Sequence, residues 1–326
     1  MKNITIKHYK LEYYTLWNEF VSKAKNATFL FHRDFIEYHQ DRFEDFSLLV
    51  FEKDKLVSIL PANRIEEAVF SHQGLTYGGF IFDDKIVLSE TIEVVKKTLS
   101  FLNENGIVTL NLKLIPSIYH KLPSNEIDCI LFLLEAKLYR RDSIAIVDLE
   151  HKLPISRIRK RGIEKGIKNN LLVKEVDTFD EFWNEILIPN LQSKYNANPV
   201  HSLEEITYLK STFPGLIKQY NVYQKTKIVA GITVFEKDNV VHPQYVSGNE
   251  EINNELGSLD FLYNHLMSKV YPNKKYFDFG PSSENQGKNL NESLHYFKES
   301  FGARTINQDF YEVKTANFSL LENILI

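Results

Sequence analysis

The 326-residue chain has a single cysteine, Cys129, set in the apolar run CILFLL. A disulfide framework is excluded, and the composition fits the reducing cytosol, so a cytoplasmic location is expected. The apolar setting predicts a buried small hydrophobe and argues against a nucleophilic cysteine. No apolar stretch approaches the roughly 20 residues needed to span a bilayer. The first residues, MKNITIKHYK, lack the apolar core of a signal peptide. No His/Cys/Asp cluster has metal-ligand spacing, so no metal is expected. Low-complexity segments and flexible linkers are absent. The net charge of −4 argues against a dedicated nucleic-acid binder, although local basic faces stay open.

What is present reads as an ordinary soluble globular protein, with 43% hydrophobic and 25% charged residues. The length suits two domains. The 23 Phe and 17 Tyr favour large packed sheets or ring-binding clefts.

The most informative stretch runs from Asn239 to Arg304. The β-branched and aromatic run from Val240 to Ser247 predicts a strand. Pro243 inside it cannot donate to a ladder, so that strand should be bulged or partly unpaired. A polar loop leads to Gly257 and Ser258, the latter placed as an N-cap. Leu259, Leu262, Tyr263, Leu266 and Val270 share one helical face, and Pro272 stops the helix. Tyr276 to Phe279 predicts a second strand. Leu290, Leu294, Phe297 and Phe301 line a second helix that Gly302 ends. The free N–H groups and positive dipole of the helix beginning at Ser258 face the loop, an arrangement suited to an anion.

The first half repeats this order of elements. Strands are expected at Ile4 to His8, twice within Phe46 to Leu60 around Lys53-Asp54-Lys55, across Ala68 to Ile81, at Val108 to Leu114 and at Ser143 to Leu149. Helices are expected around Leu16 to Val21, Phe35 to His39, Ser89 to Leu102 and Glu126 to Leu138. Lys55-Leu56-Val57 aligns by pattern with Lys227-Ile228-Val229. The literal repeat VFEKD, at Val50 and at Val234, falls in another register and is set aside. The reading is a mixed α/β chain of two tandem domains with a cleft between them, split as residues 1–150 and 151–326. Residues 151–171 form a basic connecting helix, which reads either as a solvated face or as a surface for a phosphate-bearing partner.

The segments TFLFHRDFIEYHQDRF, SHQGLTYGG, HSLEEITYLKSTFP, KIVAGITVF, YFDFGPSSENQG and LHYFKESFGAR, in this order, resemble the FemAB-like branch of the GNAT acyltransferase superfamily. The resemblance covers both halves. It implies two GNAT modules and N-acyl transfer. The donor would be an acyl-CoA, acetyl-CoA by preference, acting as a co-substrate with no tightly bound cofactor. The acyl arm would lie where a strand parts from its neighbour, with the pyrophosphate on the following helix. The acceptor would be an amine, preferentially an amino sugar of a surface-polysaccharide or cell-envelope precursor. Aminoacyl transfer from charged tRNA to a peptidoglycan precursor is the alternative, and a non-catalytic sugar-nucleotide-binding module a second one. The chain lacks the coiled-coil arm of some tRNA-using members. It also lacks the usual phosphate loop [RQ]-x-x-G-x-[GA], reading INNELGS there.

Candidate residues follow from both readings. Lys298 lies on the shoulder of its apolar helix face, where the resemblance places a lysine near the acceptor; otherwise it is a snorkelling surface lysine. Asp278, between two Phe residues, needs a partner if buried. His242 has the pKa for taking a proton from an attacking ammonium, and Tyr296 is a hydroxyl donor for the leaving group. Gly257, Ser258, Val246 and Ser247 would hold the donor. His72, Thr76 and Tyr77 with Arg33 and Arg42 form an acceptor pocket, and Tyr245 lies on the suspect strand. The competing readings are a structural histidine, a core Tyr245, surface packing for Tyr296, a loop hydrogen bond for Asp278, an ordinary N-cap at Gly257 and Ser258, a bulged strand without ligand, and surface salt-bridge arginines.

Overall fold

The computed structural model describes residues 3–325 and divides into two compact units. One takes the chain up to Asp142, with Gln286–Lys288 and the segment from Asn307 onward. The other comprises Ser143–Asn285 and Asn289–Ile306. The residues from Asn307 onward thus join the first unit rather than following the second half of the sequence. The alternation in the Arg304–Lys314 strand marks one buried face, but it does not say which sheet receives it.

In the first unit, Ile4–His8, Leu48–Glu52, Lys55–Leu60 and Ile81–Phe82 form an antiparallel sheet in that order. A second ladder centres on Thr109–Lys113, which pairs in parallel with Ala68–Phe70 and antiparallel with Arg304–Lys314. The Leu88–Glu104 helix buries Val95, Leu99 and Leu102 in a core with Leu110, Leu112 and Val313. The Glu126–Leu133 helix turns Ile130 and Leu131 into the same core. Its other face is outward, so Cys129 is exposed and the expected burial does not hold. That helix is shorter than the sequence reading because Glu135 is left-handed (φ 50°) and Leu138 already lies in the Lys137–Asp148 strand.

In the second unit the strand order is Leu171–Val176, Ile217–Gln224, Lys227–Glu236, Val240–Gly248, Tyr276–Pro281 and then residues 144–148. The aromatic rings of Tyr263, Phe277, Phe279 and Phe301 pack edge to face or offset within its core. Such rings each bury roughly 150–250 Å² and dominate core energetics. Gly162 and Gly166 of the Arg157–Lys168 helix face Asp260 and Phe261 of the Ser258–His265 helix. A Cβ on Gly162 would come 1.8 Å from Asp260 Oδ2, so only glycine permits this approach.

The internal repeat is visible at residue level. In the first hairpin Val50 pairs with Ser58 and Phe51 with Leu56, which bulges Val57. In the second Val222 pairs with Ala230 and Tyr223 with Ile228, which bulges Val229. Both turns carry a left-handed lysine, Lys53 and Lys225. This is the register in which Lys55 matches Lys227. Among the described residues, no helix is long and apolar enough to cross a membrane.

Candidate active site

The second unit contains one parallel strand pair, and that pair comes apart. Val240 pairs with Tyr276 and Val241 with Phe277, and no further register pairs follow. Both strands bend away for local reasons. Val240–Gly248 shifts register against its other neighbour between Thr233 and Val234, opposite Pro243 and Tyr245, which leaves Gln244 as the bulge that Pro243 predicted. Tyr276–Pro281 shifts register between Asp278 and Pro281, and Gly280 there is left-handed (φ 75°).

The gap opens into a cavity of about 700 Å³. Val246, Ser247 and Gly248 form one wall, and Phe279 stands on the other strand. Leu259 and Tyr263 come from the following helix, and Leu294, Phe297 and Lys298 from the Glu292–Glu299 helix. Leu187, Asn190 and Leu191 close a further side. Asn190 Nδ2 donates to Ser247 Oγ (2.6 Å) and to the Gly248 carbonyl (2.9 Å), pinning the free end of the strand. Lys194 and Glu250 on the rim form an ion pair at 2.9 Å.

Lys298 is not a snorkelling residue: it is 5% exposed. Its Nζ donates to the carbonyls of Gly280 (3.0 Å) and Pro281 (2.6 Å). Burial lowers its pKa to about 8, with the nearby Asp278 carboxylate pulling the other way. Asp278 is also buried. Its Oδ1 accepts from Gly280 N (2.7 Å), and its Oδ2 lies 3.2 Å from His242 Nδ1, in ion-pair range but not aligned as a hydrogen bond. A second buried ammonium, Lys237, was not singled out in the sequence. Burial lowers it to about 7 against the attraction of Asp278. Asp278, His242 and Lys237 do not line the cavity, so their effect reaches it through the 278–281 turn.

The other candidates are dispersed. Tyr296 is 59% exposed on the outer helix face and does not line the cavity. The Tyr245 hydroxyl meets His201 Nδ1 at 2.6 Å and its ring packs on Trp183, away from the cavity. Gly257, not Ser258, is the N-cap of the Ser258–His265 helix. Ser258 is the first helical residue, fully buried, and its Oγ donates to Asn253 Oδ1 (2.7 Å). Asn253 Oδ1 also accepts from Leu259 N (3.1 Å), so a side chain of the chain itself occupies the helix start. A Cβ on Gly257 would lie 2.1 Å from the Gly162 carbonyl, which shows how tightly the basic helix covers this turn. One amide of the expected anion site, that of Leu259, is therefore already bonded from within. The Asn253 contact reaches forward across the Gly257 turn to Leu259, outside the N-cap spacing that a sequence reading uses.

In the first unit His72 lines a separate cavity. Tyr77 is core: it is buried and its hydroxyl donates to Thr28 Oγ1 (3.1 Å). Thr76 is exposed, and its carbonyl accepts from Gln308 Nε2 (3.0 Å). Arg33 is buried, not a surface salt-bridge residue. It donates to Glu37 Oε1 (2.8 Å) and Ser47 Oγ (3.2 Å), pairs with Asp45, and stacks 3.6 Å over the Tyr9 ring. Arg42 is exposed in the short turn Gln40–Arg42. Asp148, Glu150 and His151 bring ligand atoms within 4.8 Å of one another. Asp148 already serves the Glu150 and His151 amides, so the group reads as a local turn.

FemX is similar over 98% of this chain and 99% of its own, with a TM-score of 0.66 and 9% identity. A tandem GNAT protein from the clavulanic acid biosynthesis pathway is similar over 96% and 99%, with a TM-score of 0.51 and 9% identity. L-PGS from Bacillus licheniformis is similar over 81% and 85%, with a TM-score of 0.53 and 11% identity. No family model matches the sequence, and no curated protein does. The fold is thus the mixed α/β fold of tandem GNAT-like proteins, in the FemX-like form.

Proposed function

We propose that the protein is an N-acyltransferase whose chemistry takes place in the split of the second unit. The observation that carries this reading is the parted strand pair opening on a cavity that holds one buried ammonium, Lys298. An amine attacks the carbonyl of an activated acyl group, with no covalent enzyme intermediate. The N–C bond forms, the C–S bond of a thioester or the C–O bond of an aminoacyl ester breaks, and the amine's proton goes to the leaving group. Beyond Val241 the Val240–Gly248 strand has no partner on this side. Its free N–H groups, around Val246 and Ser247, are donors for the developing oxyanion. Lys298 spends two of its three N–H groups on Gly280 and Pro281, which leaves one for the substrate. Asp278 acts as a positioning residue: by fastening Gly280 it aims the two carbonyls that hold Lys298.

Acyl-CoA is the first donor, and an amino sugar on a nucleotide or lipid carrier the preferred acceptor. A second reading, aminoacyl-tRNA, is favoured by one observation. At the helix start where a CoA pyrophosphate would sit, the Leu259 amide is already bonded to Asn253, while Arg157, Lys160, Arg161 and Lys168 stand exposed on the helix over it. From that helix Lys165 reaches the carbonyl of Asn254, a cavity-lining residue (2.7 Å). Thermal stabilisation and product formation with acetyl-CoA, and separately with charged tRNA, separate the two. Binding of a sugar nucleotide with product from neither donor would replace both with a non-catalytic binding module.

A further inference from the structure

The first unit holds a cavity lined by His72 but by none of the other residues of the expected acceptor pocket. Its volume is about 300 Å³, and it lies where the Ala68–Phe70 strand runs into the loop that carries His72. His72 is 3% exposed, and its backbone is left-handed (φ 62°), a conformation unfavourable to any residue with a Cβ. Its Nδ1 is buried with no hydrogen-bond partner. Burial, reinforced by the neighbouring His39, lowers the ring to about 3, so it is a neutral donor-acceptor at physiological pH. His72 thus lines the cavity with a buried ring whose Nδ1 is left unbonded, and a buried polar group without a partner calls for an explanation.

The rest of the lining says what kind of ligand. Lys113 Nζ gives one N–H to the Leu75 carbonyl (2.6 Å), leaving two. The Arg140 guanidinium lies 4.4 Å over the Phe310 ring and pairs through Nε and one terminal nitrogen with Asp142, leaving its other terminal nitrogen. Two cations face one carboxylate, so the site carries surplus positive charge. Asn111 adds an amide, and Tyr139 an aromatic wall.

We propose that this cavity is a binding site for a small hydroxylated organic anion of one-ring size, a sugar acid or a sugar phosphate. Lys113 and Arg140 take the anionic group. His72 and Asn111 bond the hydroxyls, and the ring packs on Tyr139. The volume admits one ring and is too small for a nucleotide cofactor.

The test is calorimetric titration of the full chain with glucuronate, glucose 6-phosphate, glucose and inorganic phosphate. At least one of the two anionic sugars should saturate with a Kd below about 1 mM. Glucose and inorganic phosphate should bind at least about tenfold more weakly. Lys113→Met and Arg140→Gln should each weaken the anionic sugar about fivefold or more. Should Lys113→Met fail to fold, because it also anchors Leu75, the half-exposed Arg140 decides alone. Three results overturn the proposal: no saturation by either anionic sugar up to about 10 mM, inorganic phosphate binding as tightly as the sugar anion, or unchanged affinity in Arg140→Gln.

Discussion

Each unit builds a parallel strand pair around a helix, and the two pairs end differently. In the first unit Phe70 pairs with Asn111, and the chain loops out over residues 71–77 and then returns. Gly78 N donates to the Lys113 carbonyl (2.6 Å), and Ser71 Oγ accepts from Lys113 N (2.9 Å). A Cβ on Gly78 would lie 2.0 Å from the Ser71 carbonyl, so the closure depends on glycine. In the second unit the ladder never resumes after Val241, and an ammonium on a helix holds the carbonyls of the departing strand instead. The same topology therefore gives one sealed pair and one open pair. What decides is local: Pro243 and Gly280 bend the open pair, and Gly78 with Ser71 closes the other.

The largest expected effect breaks the open pair's chemistry. Lys298→Met keeps the stem but removes the charge, and turnover should fall roughly 10²–10³-fold with the fold intact. Parent-like turnover with either donor would make Lys298 scaffold. Asp278→Asn acts only through the turn, so a loss of about tenfold is expected, equivalent to about 1.4 kcal/mol; a loss as large as that of Lys298→Met would mean Asp278 touches the reacting atoms.

On the sealed side, Gly78→Ala forces a methyl against a carbonyl and should destabilise by about 1–3 kcal/mol, read as a lower denaturation midpoint. An unchanged midpoint would show that the pair is not held shut there.

The two units should also differ in their pH response. Lys298, lowered in the fold to about 8 from an ordinary 10.5, is penalised below pH 8. The unfolded chain holds more protons between these values, so stability relative to Lys298→Met should rise from about pH 8 to 10.5. His72, lowered to about 3 from 6.5, works in the acid range. The unfolded chain again binds the extra proton, so stability should fall as pH drops from 6.5 towards 3, and His72→Asn should flatten that fall. Melting curves of each pair against pH read both signs. The smallest effect is expected from Tyr296→Phe, on the exposed helix face, with turnover within about twofold of the parent.

The repeat, the bulge at Pro243, the two strands of the split and the placement of Lys298 were legible because each rests on local chemistry: proline geometry, turn lysines, apolar periodicity. Three features were not. The helix start at Ser258 depends on Asn253, whose side chain reaches forward over a turn that sequence spacing does not reveal. The outward face of Cys129 depends on Ile130 and Leu131 taking the core side of the helix, and the continuous apolar run CILFLL does not single out a face. Arg33 looked like a surface residue because nothing in its neighbourhood announces that Tyr9, Glu37, Asp45 and Ser47 converge on it.

The lone cysteine gives the most direct test of where the chemistry occurs. With Cys129 replaced by Ser, Ser247→Cys places a unique thiol in the open split, and a maleimide attached there fills the cavity that the acyl group needs. The expected result is that labelling abolishes acyl transfer and that the donor slows labelling. Full turnover by the labelled protein would contradict the assignment of the split as the active site.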